Sequence, residues 1–196
     1  GAAWFENFTL STSTVTAACA ALPEAFSGLR IVQISDLHGR RFDAESRYLL
    51  ELVRLQNEYR LLKKGQASIV LAGVDDPNGP YDQKRPAQLV REIRQSRGRD
   101  AYILMLSHRN DELDLWANMG VQTVLCGHGH GGIVRLPFVG AVFGTHLNLF
   151  PDYTAGLYQK GQTSMIVSRG LGGSRKLPLR IGNRPEVVTI VLKAES

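Results

Sequence analysis

Three short apolar runs in this chain are each followed within three residues by a histidine, and this repeated pattern most restricts how the chain can fold. The runs cover 29–35, 101–106 and 121–125, and their aliphatic composition is typical of buried β-strands. In layered α/β folds, polar residues that directly follow buried strands meet in one crevice. The pattern therefore predicts an α/β fold with a functional site at the strand ends.

Helical and strand patterns alternate over the first two thirds of the chain, and strands dominate afterwards. A helix is predicted over 86–97, because Pro86 stands at a first-turn position that tolerates proline. Asn110 is predicted to cap a short helix that ends near Met119. The other predicted elements are a lead-in strand over 7–18, a helix from Asp43 to about Gln56, hairpins over 58–72 and 156–168, and a closing strand over 187–192.

Length and composition predict one globular domain over 1–196, in which 1–28 forms a lead-in strand segment. With 43% hydrophobic and 21% charged residues, the chain is neither a disordered protein nor a coiled coil. No apolar stretch approaches the ~20 residues that a membrane-spanning helix needs. Cys19 and Cys126 are too few for a disulfide framework or a cysteine zinc site, so both are predicted to be small buried hydrophobic residues.

The formal net charge of +5 comes mostly from arginines that are scattered along the chain. They form no basic run with interleaved aromatic residues, so nucleic acid is not an expected partner. A basic surface that faces anionic substrates or anionic lipid agrees equally well with this charge.

Histidines and a carboxylate beyond the strand ends form a candidate metal site. The residues are Asp36, His38, His108, His128 and His130. Such a set without cysteine suits Mn²⁺, Zn²⁺ or Fe. Asp36 and His38 are two residues apart, so in an extended chain their side chains point to the same side. The glycines around His128 and His130 permit sharp backbone turns close to an ion.

The residues IVQISDLHG at 31–39, LSH at 106–108 and GHGHGG at 127–132 resemble the calcineurin-like metallophosphoesterase superfamily, and most closely its bacterial, membrane-associated branch. The similarity extends through 71–79, 134–141 and 168–186. The resemblance implies a four-layer α/β/β/α sandwich that hydrolyses a phosphomonoester, phosphodiester or pyrophosphate by means of a metal-bound hydroxide. By the same resemblance, Asp36, His38 and His130 hold a first divalent ion, and His108 and His128 hold a second.

One block of the family pattern is missing from the sequence. Relatives carry a Gly-Asp motif, whose Asp bridges both metals, and a Gly-Asn-His motif, and the sequence contains no Gly-Asn-His. Near residues 54–57, the predicted helix that follows Asp36-Leu-His38 leads directly into another segment. That segment resembles the part of the relatives that comes after Gly-Asn-His. Three explanations are open: a true deletion, a block that the molecule contains but this sequence does not, or recruitment of Asp75 or Asp76 as a substitute carboxylate.

The missing block has consequences for activity and stability. A histidine pair without its carboxylate is expected to bind the second ion weakly, so the chain is expected to hold fewer than two ions and to hydrolyse poorly. The alternative function is an inactive remnant of the fold that binds phosphate or another anion. A sheet that lacks part of its strands exposes an edge, and this predicts self-association.

The resemblance also implies the class of partner and the location. The expected substrate is a phosphorylated small molecule or lipid, and Arg40, Arg41 and Arg109 stand beside ligand positions where they can contact its anion. Relatives often carry a membrane anchor or export signal just before a segment like 4–10, which implies the bacterial cell envelope or a membrane surface. Since the chain begins at Gly1 without Met, we expect that such a leader has been trimmed.

Overall fold

The structure is a computed structural model that describes residues 9–37, 55–77, 84–145, 147–173 and 179–195. His38, Arg40 and Arg41 lie outside these ranges, as does nearly all of the helix predicted from Asp43 to Gln56. The described residues form strands in three sheets together with two α-helices. The strands are β1 (Ser11–Cys19), β2 (Arg30–Gln33), β3 (Glu58–Lys64), β4 (Ala67–Gly73), β5 (Ile103–Leu106), β6 (Thr123–Cys126), β7 (Val134–Leu136), β8 (Gly140–Phe143), β9 (Gly156–Lys160), β10 (Thr163–Val167) and β11 (Glu186–Ala194), and the helices are α1 (Pro86–Arg97) and α2 (Leu113–Asn118).

A six-stranded sheet with the order β3-β4-β5-β6-β10-β9 forms the centre of the molecule. Its four inner strands are parallel, and the antiparallel strands β3 and β9 lie at its edges. The inner strands β5, β6 and β10 are almost entirely buried, as continuous apolar runs in a parallel sheet should be. The predicted hairpin of β3 and β4 and the hairpin of β9 and β10 are confirmed.

The two faces of this sheet carry different layers, because side chains alternate along each strand. On β4, Val70 and Ala72 pack with α1 and α2, whereas Ile69 and Leu71 pack with the second sheet. Trp116 of α2 is fully buried in the first of these cores. The sheet is thus covered by helices on one face and by strands on the other.

The second sheet has the order β1-β11-β2, with β1 parallel and β2 antiparallel to β11. Val188, Ile190 and Leu192 of β11 are buried against the large sheet. The described residues therefore form three layers, β/β/α, and the predicted α/β class is confirmed. The outer helical layer of the four-layer sandwich stays a prediction, since its candidate helix falls outside the described ranges. Within those ranges β2 pairs with β11 alone and has one open edge, which is the feature that the predicted self-association requires.

Two local expectations can be compared directly with the structure. The helix opened by Pro86 is confirmed, with Pro86 in its first turn. The capping role predicted for Asn110 is wrong, because α2 begins at Leu113 and the Asn110 side chain instead donates to the Tyr153 carbonyl at 2.7 Å. Cys19 and Cys126 are both buried free thiols, as predicted, and burial raises the pKa of Cys126. No described helix is long and apolar enough to span a bilayer.

Candidate metal centre

The candidate centre lies where four strands end near one another. Asp36 follows β2, Asp76 follows β4, His108 follows β5, and His128 and His130 follow β6. The parallel direction of β4, β5 and β6 brings their carboxyl ends to one edge, so residues that are distant in sequence converge. The glycine-rich segment after β10 closes the site from the other side, since Gly172 N–H donates to the Asp36 carbonyl at 2.7 Å.

Asp36 is held in a fixed position by backbone and side-chain donors. Its carboxylate, which is fully buried, accepts from the His128 backbone N–H at 3.1–3.2 Å and from the Ser35 hydroxyl at 2.9 Å. Its backbone has φ +52°, an uncommon conformation for a residue other than glycine. A Cβ on Gly170 would lie 2.6 Å from the Asp36 Cβ, so the loop after β10 needs glycine for this close approach.

His108, His128 and Asp76 form the group with the geometry of metal ligands. Nδ1 of His128 lies 3.0 Å from Nε2 of His108, and this Nε2 lies 3.8 Å from Oδ2 of Asp76. One ligand atom from each residue falls within 4.8 Å of the others. Asp36 adjoins the group, because its Oδ1 is 4.0 Å from Nδ1 of His108.

The donor set of this group fits a divalent transition metal. Two nitrogens that bind one ion at about 2.1 Å, with ligands at right angles, lie about 3 Å apart. That is the distance between Nε2 of His108 and Nδ1 of His128. Two imidazoles with one carboxylate suit Zn²⁺, Mn²⁺ or Fe better than Ca²⁺ or Mg²⁺, which prefer oxygen ligands. Burial lowers the pKa of His128, with the neighbouring His108 and Arg109 adding to the effect, so the neutral imidazole that a metal requires is favoured.

His130 is placed differently from the other predicted ligands. Its side chain is buried, and its Nδ1 lies 3.2 Å from the Gly172 carbonyl. Since a carbonyl only accepts, Nδ1 carries the proton in this arrangement and Nε2 is the nitrogen left with a lone pair. His130, with φ +50°, and His128, with φ +68°, both have left-handed backbone, an uncommon conformation for residues other than glycine.

Charged neighbours complete the group. The Nη2 of Arg109 lies 3.3 Å from Oδ1 of Asp76 and so anchors the carboxylate from the side opposite His108. Asp75 points elsewhere, because its Oδ2 accepts from the Asn57 side chain at 2.8 Å. Of the two candidate substitute carboxylates, it is therefore Asp76 that lies with the histidines. Burial raises the pKa of nearby Glu112, with Asp111 adding to the shift.

Two buried polar residues that the sequence analysis missed hold the loops of the centre together. Asn183 Nδ2 donates to the carbonyls of His130 and Gly132 at 2.8 and 2.6 Å. Arg180 Nη2 donates to three carbonyls of the loop after β10, those of Arg169, Gly170 and Gly172. Both lie in the 168–186 block that carries the family resemblance. Residue type alone did not single them out, because the same block contains other charged residues such as Arg175, Lys176 and Arg184.

Of the predicted ligands, the structure brings Asp36, His108 and His128 together and adds Asp76. His130 lies in the same loop as His128, and its ring is hydrogen-bonded to the Gly172 carbonyl. His38 lies outside the described residues. A cleft of about 420 Å³ opens beside the group. Arg109 and His128 line this cleft, together with Thr145, Asn148 and Tyr153 from the segment between β8 and β9.

Comparisons with known proteins point to the same chemistry over part of the chain. An uncharacterized metallophosphoesterase of Bacillus subtilis, YkuE, is 38% identical over 93 residues, which are 47% of this chain and 32% of the relative. The Escherichia coli phosphodiesterase YaeI is 35% identical over 89 residues, 45% of this chain and 32% of the relative. An uncharacterized metallophosphoesterase of Aquifex aeolicus is 31% identical over 128 residues, 65% of this chain and 46% of the relative.

The chain spans about a third to a half of the length of these curated relatives. No family model matches the chain, and no solved structure matches it. The names of the relatives support a relationship to the metallophosphoesterases and hence to hydrolases that use divalent metals, over the matched part of the chain.

Proposed function

We propose that this chain is a metal-dependent phosphoesterase that hydrolyses a phosphomonoester, a phosphodiester or a pyrophosphate. The observation that carries the proposal is the position of Asp76. It supplies a carboxylate to the His108 and His128 pair. In the family pattern the bridging carboxylate comes from the Gly-Asp motif, which this chain lacks. Without a carboxylate the pair would bind an ion weakly, and with Asp76 it has the mixed donor set of a catalytic site.

In this proposal His108, His128 and Asp76 hold one divalent ion, and Asp36, His130 and His38 supply the ligands for another. A bound ion of this kind polarises phosphoryl oxygens and lowers the pKa of water to near neutrality. The chain's own residues prepare the site. Asp36 accepts from the His128 backbone N–H, so the carboxylate and the histidine loop keep a fixed spacing. Asn183 and Gly172 fix the backbone and the ring of His130 in the same way.

Arg109 is the residue best placed to bind the substrate anion. It pairs with Asp76 on one side and lines the cleft on the other. A guanidinium presents several donors in a plane and matches the geometry of a phosphoryl group. The phosphate would therefore lie between Arg109 and the histidines, and the alcohol that leaves would occupy the cleft.

A second candidate function is supported by the missing Gly-Asp and Gly-Asn-His block. A chain that binds an ion through the Asp76 group but lacks a second ion would hold phosphorylated ligands without hydrolysing them. This candidate predicts binding of inorganic phosphate and no turnover, so one set of measurements separates the two functions.

The experiment compares Asp76→Asn with Asp75→Asn in the full chain. The number of bound ions is measured by elemental analysis after reconstitution with Mn²⁺ or Zn²⁺, and hydrolysis is followed with p-nitrophenyl phosphate and bis(p-nitrophenyl) phosphate. We expect Asp76→Asn to weaken metal binding by about 10- to 100-fold and to lower hydrolysis in parallel. Asp75→Asn should leave metal affinity unchanged, because Asp75 contacts Asn57 and not the histidines.

Equal metal affinity in the two variants would contradict the role of Asp76. If the chain binds metal and phosphate but hydrolyses neither substrate, it is the phosphate-binding remnant and not the enzyme. Because Asn is nearly isosteric with Asp, a thermal melt that matches wild type shows that any loss comes from the ligand and not from unfolding.

A further inference from the structure

The cleft beside the candidate metal centre is lined almost entirely by polar residues. It has a volume of about 420 Å³, and within the described part of the chain its lining includes no Leu, Ile, Val, Met or Phe. Apart from Pro151, Gly129 and Gly144, every lining residue carries a side chain that can form hydrogen bonds. Small-molecule sites are usually lined mainly by hydrophobic and aromatic side chains. The lining of this cleft therefore indicates a ligand that is itself rich in hydrogen-bonding groups.

One side of the cleft is held in place by hydrogen bonds to the loops of the metal centre. Asn110 Nδ2 donates to the Tyr153 carbonyl at 2.7 Å. Arg135 Nη1 donates to the Thr154 hydroxyl at 3.1 Å and to the Gly131 carbonyl at 3.0 Å. These bonds tie the segment between β8 and β9 to the loop after β5 and to the loop after β6. The polar groups of the cleft are therefore positioned before a ligand binds, which lowers the entropic cost of binding it.

Two carboxylates lie next to this junction. Asp111 directly follows Asn110 in the chain, and Asp152 directly precedes Tyr153. The bond between Asn110 and Tyr153 thus brings both aspartates to the same part of the cleft, where they are exposed. The carboxylate of the metal-ligand group is a different one, that of Asp76. Because like charges repel, Asp111 and Asp152 disfavour a leaving group that carries a carboxylate or a second phosphate.

Neutral hydrogen-bonding groups accompany the two carboxylates. Asn148 and Thr145 line the same cleft, and a Cβ on Gly144 would overlap the Asn148 amide oxygen, so the glycine leaves room for that side chain. An amide and a hydroxyl both donate and accept, whereas a carboxylate accepts. Alcohol hydroxyls can satisfy all of these groups, but an aliphatic ligand would leave them without partners. An ammonium group only donates and cannot pair with the N–H donors of Asn148.

We propose that the substrate of this centre is the phosphate ester of an uncharged, hydroxyl-rich alcohol, and that Asp111, Asn148 and Asp152 select it. This inference rests on the proposed phosphoesterase function and narrows it, since neither a pyrophosphate nor the ester of an aliphatic alcohol matches the cleft. In the hydrolysis, the oxygen of water bonds to phosphorus and the bond between phosphorus and the ester oxygen breaks. A proton of the water ends on the released alcohol.

The test compares three six-carbon monoesters that differ only in the leaving group. Sorbitol phosphate has an uncharged, hydroxyl-rich leaving group, phosphogluconate adds a carboxylate, and hexyl phosphate lacks the hydroxyls. The full chain is reconstituted with Mn²⁺, and kcat/KM is measured for each ester. We expect kcat/KM for sorbitol phosphate to exceed both other values by about tenfold or more.

The variant combines Asp111→Asn with Asp152→Asn, which removes both charges and keeps the size of the side chains. We expect the ratio of kcat/KM for phosphogluconate to that for sorbitol phosphate to rise about fivefold or more, because the repulsion is gone. Both values come from one preparation, so a loss of folding or of metal cancels in the ratio. Asp114→Asn is the matched control with wild-type ratios, since Asp114 forms an exposed ion pair with Lys160 at 2.8 Å and does not line the cleft.

Similar kcat/KM values for the three esters in wild type, or an unchanged ratio in the double variant, would overturn the inference. A preference for aminohexyl phosphate over sorbitol phosphate would also overturn it and assign the cleft to a cationic alcohol. If no ester is hydrolysed, p-nitrophenyl phosphate included, the proposed enzyme is rejected, and titration calorimetry with the same three esters decides the selectivity. Tighter binding of sorbitol phosphate would then support the role of the cleft, and equal affinities would refute it.

Discussion

At the scale of single residues, Asn183 links the metal-centre loop to the last part of the chain. It is fully buried, and its amide donates to the carbonyls of His130 and Gly132. No other residue type of this size offers two donors at that position, so the loop geometry depends on it. A Cβ on Gly131 would lie only 2.7 Å from the amide oxygen of Asn183, so this position of the loop requires glycine.

Replacing Asn183 by Ala should therefore cost stability and metal affinity together. Two buried carbonyls lose their donor, and we expect the free energy of unfolding in urea to fall by about 2 kcal/mol. Affinity for Mn²⁺ should fall as well, because His130 no longer has a fixed backbone. Asn118→Ala, at an exposed position at the end of α2, is the control and should change neither quantity. A large loss of stability with unchanged metal affinity would show that the loop is held by other contacts.

At the scale of elements, the end of α1 is tied to its surroundings by Arg94. Its guanidinium donates to the carbonyls of Arg99, Ala101 and Gly120, the last two at 2.6 Å. Burial lowers the pKa of Arg94, although the group stays charged at neutral pH. A cation in the last turn also interacts favourably with the helix dipole. Arg94 thereby joins α1 to the start of β5 and to the turn after α2.

We expect Arg94→Met to lower the free energy of unfolding by about 2 kcal/mol, since three carbonyls lose a charged donor while the aliphatic part of the side chain is retained. Arg91→Met on the exposed face of the same helix should change it by less than about 0.5 kcal/mol. Chemical unfolding followed by circular dichroism measures both. Similar losses in the two variants would mean that helix propensity, and not the bonds of Arg94, decides the effect.

At the scale of the whole molecule, Glu186 and Arg169 connect the two sheets. Arg169 follows β10 of the large sheet, and Glu186 begins β11 of the small one. The carboxylate accepts from Nε, Nη2 and the backbone N–H of Arg169, each at 3.1 Å. Arg169 also donates to the Ser11 hydroxyl of β1 at 2.9 Å. Burial alone would raise the pKa of Glu186, but the bonds and charge of Arg169 outweigh it, so this pKa is lowered.

This lowered pKa sets the sign of a pH dependence. A carboxyl group with a folded-state pKa below its unfolded value of about 4.3 stabilises fully above that value, and the stabilisation is lost as the pH falls through the folded pKa. We expect Glu186→Gln to lower the free energy of unfolding by about 2 kcal/mol near neutral pH. The difference from wild type should shrink below about pH 4.

Glu92→Gln is the matched control for this pair. Glu92 forms an exposed ion pair with Lys84 at 2.7 Å, and exposed pairs contribute about 0–1 kcal/mol. Urea unfolding of both variants across the pH range is the measurement. A Glu186→Gln difference that stays constant down to low pH would show that packing, and not the charge, is responsible.

The elements that the sequence predicted correctly are those with strong local signals. The buried strands β5 and β6, the hairpin of β3 and β4, and α1 with Pro86 in its first turn follow from apolar periodicity and turn residues within a few positions. The predicted placement of polar residues beyond strand ends agrees with the structure: His108 and His128 follow the parallel strands β5 and β6, and Asp36 follows β2 of the second sheet and lies beside them. Asn110 failed as a cap because a contact distant in sequence, the Tyr153 carbonyl, outweighed the local preference.

The sequence by itself thus determined the α/β class and the residue types of the candidate centre. These properties depend on composition and on local residue patterns, and both can be read directly from the sequence. Only the tertiary structure decided that Asp76 and not Asp75 lies with the histidines. The physical reason is that such choices depend on strand register and on the direction of individual side chains, and both are set by packing between segments far apart in the chain.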